Sequence, residues 1–124
     1  YQERPVTRVR LWGIDCPEVA SPDRPAEPWA EEAADLVREL VTERPAMLLL
    51  EPHQTRDRYG RLLAHIELDD GTNLSEFLLQ AGWAKADDRW PHSRLGRFAQ
   101  LERAARRRGA GIWSTTQPRT ETAR

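Results

Sequence analysis

The 124-residue chain is 39% hydrophobic and 31% charged, which suits one folded domain with a modest core and excludes a disordered chain. Its net charge of −1 excludes a global cationic field that would draw in nucleic acid, so any phosphate binding must come from a local cluster. A single cysteine, Cys16, excludes an internal disulfide, and no apolar run approaches the roughly 18–20 residues of a membrane span.

Residues 1–10 carry no apolar signal region, so the chain is expected to be cytoplasmic or to have lost a leader upstream of Tyr1. Residues 6–14 read as a strand, with Val9 and Leu11 on one face and Arg8, Arg10, Trp12 and Ile14 on the other. Cys16-Pro17 ends it, because proline donates nothing to a ladder. Three prolines within residues 21–28 make that stretch a loop.

The spacing of Trp29, Ala33, Leu36, Val37, Leu40 and Val41 predicts a helix over residues 28–43. Pro28 suits its first position, and Glu31 and Glu32 suit the positive end of its dipole. Residues 46–51 form a short apolar strand, and residues 62–68 alternate as a second. Asp69-Asp70-Gly71 then turns the chain. Asn73 with Glu76 resembles a capping box for a helix over residues 74–81, and Gly82 suits its left-handed exit. A third helix over about 93–108 would bury Leu95, Phe98, Leu101 and Ala105. Residues 111–114 (GIWS) read as a docking segment anchored by Trp113, and residues 115–124 as a polar tail.

Two segments carry chemistry: VRLWGIDCPE at residues 9–18 and RDRYGRLLAHI at residues 56–66. Two guanidinium groups (Arg10 and Arg61), a hard carboxylate (Asp15) and a spare carboxylate (Glu18) are what phosphodiester hydrolysis requires. Blander readings stand beside this one. Arg10 alone would be an ordinary solvent-facing strand residue, and residues 15–18 a plain turn. Asp57 is read as holding its loop through an Asx-type bond, and Gly60 as a backbone requirement. Trp12, Trp29, Trp83 and Trp113 read as core or half-core residues. His53, His65 and His92 stand in no ligand spacing, which argues against a zinc site. Arg103, Arg106, Arg107 and Arg108 read as a solvated helix end.

The pattern R-x-x-x-x-D-x-P-E (Arg10, Asp15, Pro17, Glu18), then D-x-Y-G-R (Asp57, Tyr59, Gly60, Arg61), then NLSEFLLQAGWAK and GIWS, resembles the staphylococcal nuclease-like family from about Arg8 to Ser114. The resemblance implies an α+β fold, an OB-type Greek-key β-barrel with three helices. It implies a nuclease that uses Ca²⁺ on DNA and RNA, breaks the bond to the 5′-oxygen and leaves 3′-phosphates. Arg10, Glu18 and Arg61 match the catalytic positions. Asp15 matches a calcium ligand, Cys16 contributes only its backbone carbonyl, and Arg58 and Tyr59 match positions at the phosphate end of a bound nucleotide. Trp90, in a polar stretch, is a candidate for stacking on a base. The family's upstream acidic segment, which supplies one more calcium ligand, has no counterpart here, and only three strands are expected. Residues 1–114 are therefore expected to be an N-terminally incomplete domain, monomeric when whole and open to strand swapping when not. A non-catalytic OB-type module binding nucleic acid or protein is the alternative. Secretion or a periplasmic place would follow from family habit alone.

Overall fold

A computed structural model describes residues 7–18 and 20–114. Among the described residues the architecture is α+β, with five short strands, three α-helices and one 3-10 turn. The order is β1 (Val9–Leu11), β2 (Ile14–Asp15), α1 (Ala30–Val41), β3 (Ala46–Leu49), β4 (Leu62–Leu68), α2 (Leu74–Gln80), β5 (Lys85–Ala86), α3 (Leu95–Arg108) and the 3-10 turn Gly111–Trp113. β4 is the centre of a three-stranded sheet ordered β1-β4-β3, parallel to β1 and antiparallel to β3. β2 and β5 form a separate antiparallel pair. The described residues form no closed barrel. Among them, no helix is long and apolar enough to cross a membrane.

The expected strand over residues 6–14 is broken in two. Gly13 takes a left-handed φ of 71°, so the chain turns at Trp12-Gly13 and leaves the large sheet to pair with β5. Val6 itself lies outside the described residues, as does the expected tail from Thr115. The helix expected from Pro28 starts two residues later, because Trp29 sits at the N-cap with φ 70° and cannot be its first turn. The expected helix start at Ser93 also moves to Leu95, since the Ser93 amide and hydroxyl bond to Glu51 instead.

Asn73 caps α2 as expected, its Oδ1 accepting the Glu76 N–H at 2.9 Å. The reciprocal half of the box does not form, because the Glu76 carboxylate faces Arg94 and Arg97. The core gathers Ile14, Leu74, Leu78, Leu79, Ala84, Phe98 and Leu101, with α1 adding Leu36, Val37, Leu40 and Val41 at its margin. The GIWS segment docks on the exit of α2: Ile112 N–H donates to Gly82 O at 2.7 Å. Gly82 (φ 84°) and Gly111 (φ 55°) lie against each other, so a Cβ on either would overlap the other segment's backbone. On β3 and just beyond it, Met47, Leu48 and Leu50 are exposed.

Candidate active site

Arg10 lies mid-way along β1. Its Nη1 donates to Leu11 O at 3.0 Å and to Ile14 O at 2.8 Å, across the Trp12-Gly13 turn. The side chain is thus fixed at one nitrogen while the rest of the fork stays available. The parallel register pairs Arg10 with Leu63, and Leu62 N–H donates to Arg8 O. Arg61, the residue before β4, is therefore carried onto the strand beside Arg10 and offset by two positions.

Arg61 is aimed by its own turn. Asp57 Oδ1 accepts the N–H groups of Tyr59 and Arg61 at 2.9 Å each, and Oδ2 accepts Arg61 Nε at 2.7 Å. Burial pushes the Asp57 carboxyl up, but these bonds from Arg61 and Tyr59 outweigh it and hold it below the ordinary carboxylate range. Asp57 is thus the Asx-type clamp the sequence suggested, and it also orients Arg61. Gly60 closes the turn at φ 82°. Tyr59 stands exposed, with Arg58 4.9 Å and Arg61 5.5 Å from its ring centre. The loop therefore presents two cations around one ring.

Asp15 is exposed on β2, opposite Lys85 in register. No salt bridge engages its carboxylate among the described residues. Lys85 leans instead toward the Trp113 ring, 5.8 Å away. Burial pushes the Cys16 thiol up to about 11, opposed by the Arg10 charge, so it stays protonated at neutral pH. Asp15, Cys16, Pro17, Trp29, Lys85 and Trp113 are among the residues lining a cavity of about 400 Å³.

Glu18 follows in the loop after β2. Its backbone is pinned to Glu27, with the Glu18 N–H donating to Glu27 Oε1 at 2.9 Å and the Glu27 N–H donating to Glu18 O at 2.8 Å. Its half-exposed carboxylate pairs with Arg24. The fold therefore gathers Arg10, Asp15 and Cys16 around Ile14 and lays Arg61 alongside. The Glu18 carboxylate, as placed, faces Arg24 rather than either site arginine. Trp90 is exposed, and among the described residues no ring contact or hydrogen bond joins it to Arg58 or Tyr59.

Two features escaped the sequence reading. Asp87, after β5, donates its N–H to Gly13 O at 2.8 Å, and its carboxylate feels the Arg10 charge. Its bonds from Arg89 hold it below the ordinary range, despite opposing desolvation. Its approach to Arg10 depends on the β2–β5 pairing, and β5 is too short to show a strand pattern. Second, Glu51, His65 and His92 converge, with one candidate ligand atom from each lying within 4.8 Å of the others. Their separation along the chain had argued against a zinc site; strand pairing and the seating of α3 nevertheless bring the three side chains together.

The chain matches the model of the family described as "Staphylococcal nuclease homologue" over residues 8–115. This chain belongs to that family. Relatives of this staphylococcal nuclease-like chain include "Thermonuclease" of Staphylococcus hyicus, 32% identical over 107 residues, covering 86% of this chain and 62% of that protein. "SPbeta prophage-derived endonuclease YokF" of Bacillus subtilis is 33% identical over 111 residues, covering 88% of this chain and 37% of the relative. "Probable endonuclease LCL3" of Schizophyllum commune is 32% identical over 119 residues, covering 86% and 40%. The chain thus spans less than two thirds of the length of each of these relatives.

Proposed function

We propose that this chain is a Ca²⁺-dependent nuclease domain that hydrolyses phosphodiester bonds of DNA and RNA at the 5′-oxygen side, leaving 3′-phosphates. The observation that carries the reading is the anchoring of Arg10 on Ile14 O, beside Asp15, in a member of this family. Hydrolysis builds negative charge on the non-bridging phosphate oxygens, and preorganised guanidinium groups stabilise it without reorganising at the moment of reaction. Arg10 is preorganised by two backbone carbonyls and Arg61 by Asp57. Arginine suits the task because its planar fork holds two oxygens at once. Arg58 and Tyr59 receive the phosphate end of the nucleotide, and Trp90 offers an exposed ring for a base.

The donor set fits a hard cation. Asp15 offers an exposed carboxylate and Cys16 a backbone carbonyl, both hard oxygen donors. Bound there, Ca²⁺ would act as a Lewis acid on the scissile phosphate. Glu18 orients or deprotonates the attacking water once its carboxylate leaves Arg24. We read the two small sheets as parts of an OB-type barrel. Such a domain is monomeric when complete.

The test is release of nucleotides from single-stranded DNA and from RNA, in Ca²⁺ and in EDTA, with Arg61→Ala as control. Chelation is expected to stop turnover, and Arg61→Ala to slow it by about 10²–10³. Turnover indifferent to both refutes the reading. Saturable oligonucleotide binding without turnover in millimolar-range calcium would replace it with a non-catalytic binding module.

A further inference from the structure

The Glu51, His65 and His92 cluster lies in the interior and shares no residue with the set around Asp15. Its members come from three places: the loop after β3, mid-β4, and the loop before α3. Glu51 and His65 are almost fully buried. His65 Nε2 lies 3.0 Å from Glu51 Oε2. His65 Nδ1 is buried with no partner among the described residues. The His92 ring is 5.6 Å from His65 and 5.0 Å from Phe98, centre to centre. Trp12 closes another side, 5.9 Å from His92.

We propose that Glu51, His65 and His92 form a zinc-binding site. A tetrahedral ion with bonds of about 2.0–2.1 Å sets its ligand atoms about 3.3 Å apart. The Glu51–His65 pair already stands at 3.0 Å, and all three candidate ligand atoms lie within 4.8 Å of one another. Two imidazoles and one carboxylate select zinc over calcium or magnesium, which take oxygen. The ligands are held from outside. Ser93 donates its hydroxyl to Glu51 Oε2 at 2.5 Å and its N–H to both carboxylate oxygens at 3.2 Å. The Arg94 N–H donates to His92 Nδ1 at 3.2 Å. As the acceptor of that bond, His92 Nδ1 carries the ring's lone pair. Exposed His53 places its Nδ1 4.0 Å from Glu51 Oε1.

The site would clamp α3 to β4. It would also fix the turn carrying Asp15, because the His92 ring lies directly against Gly13 and any Cβ there would overlap it. This role is independent of nuclease chemistry and stands if the proposed activity fails.

The experiment titrates Co²⁺ and Zn²⁺ into chelator-treated full chain in excess Ca²⁺, reading the visible cobalt spectrum and the melting temperature. One equivalent of cobalt with a tetrahedral spectrum, displaced by zinc, is expected. Zinc at about a hundred times its dissociation constant should raise the melting temperature by about 10 °C. His92→Gln and Glu51→Gln should each weaken uptake by about 100-fold or more, while His53→Ala leaves it at one equivalent. The wild-type titration needs no variant to fold. A cooperatively folded wild type that takes up no cobalt at about 100 μM overturns the proposal, as does uptake unchanged in folded His92→Gln.

Discussion

Replacing Arg10 separates the bracing role seen in the structure from the catalytic role proposed for the same side chain. Its Nη1 bridges Leu11 O and Ile14 O, at 3.0 and 2.8 Å, and so braces the turn between β1 and β2. Hydrogen bonds from a charged donor contribute about 1.5–3 kcal/mol each at most, and this guanidinium is only part-buried. Arg10→Ala should therefore cost about 1–3 kcal/mol. For a domain of this size that lowers the melting temperature by about 4–12 °C. The catalytic share is larger: loss of one preorganised donor to a charged transition state costs about 10²–10³ in rate, or roughly 3–4 kcal/mol. Arg10→Lys keeps the charge and can reach one carbonyl, so it should recover part of the stability but little of the rate. The assay measures kcat/KM on single-stranded DNA in Ca²⁺, well below the melting temperature of each variant, with circular dichroism confirming the folded state. A folded Arg10→Ala within about threefold of wild type would refute the catalytic reasoning, leaving Arg10 a structural brace.

Gly111→Ala should lower stability by about 2–4 kcal/mol, since it combines left-handed strain, an overlap with Gly82 O and loss of the Ile112–Gly82 bond. Thermal melting followed by tryptophan fluorescence checks this, and an unchanged midpoint contradicts the docking described. Cys16 has its thiol pushed from 9.0 to about 11, so iodoacetamide at pH 8 should modify the folded protein about 100-fold more slowly than the urea-unfolded chain. Equal rates would place the thiol in solvent. Asp87 is held below its ordinary 3.8 by Arg89, so the unfolded chain binds the proton first on acidification. That contribution is present above about pH 4 and is lost as pH falls through the depressed value. Asp87→Asn should flatten the acid limb of a urea-stability profile, and an identical limb would show the pairing to be inert.

Much of the fold is legible in the sequence, because periodicity is local. The stripe through Leu36, Val37, Leu40 and Val41, the alternation of residues 62–68 and the Asn73 cap all appear where expected. The misses lie where distant contacts override a local signal. Gly13 sits inside an apolar run that reads as one strand, but packing of His92 against it bends the chain. Ser93 looks like the start of a helix, but Glu51 captures its amide. Trp29 fits the helical stripe, yet it closes the proline loop in a left-handed conformation. The Arg10 and Asp15 neighbourhood was readable because the two lie five residues apart on one segment. The Glu18–Arg24 pairing and the Glu51, His65 and His92 cluster were not, since linear spacing says nothing of residues that arrive from separate elements.

β1 pairs in parallel with β4, and parallel neighbours need a long connection; here α1 and β3 lie between them. The two arginines therefore become neighbours only after that whole excursion has been made and closed. During refolding, helical signal should return early, and the arrangement proposed to handle phosphate should be among the last things to reappear. Recovery of hydrolysis would then time the final closure of the sheet more sharply than any spectroscopic band.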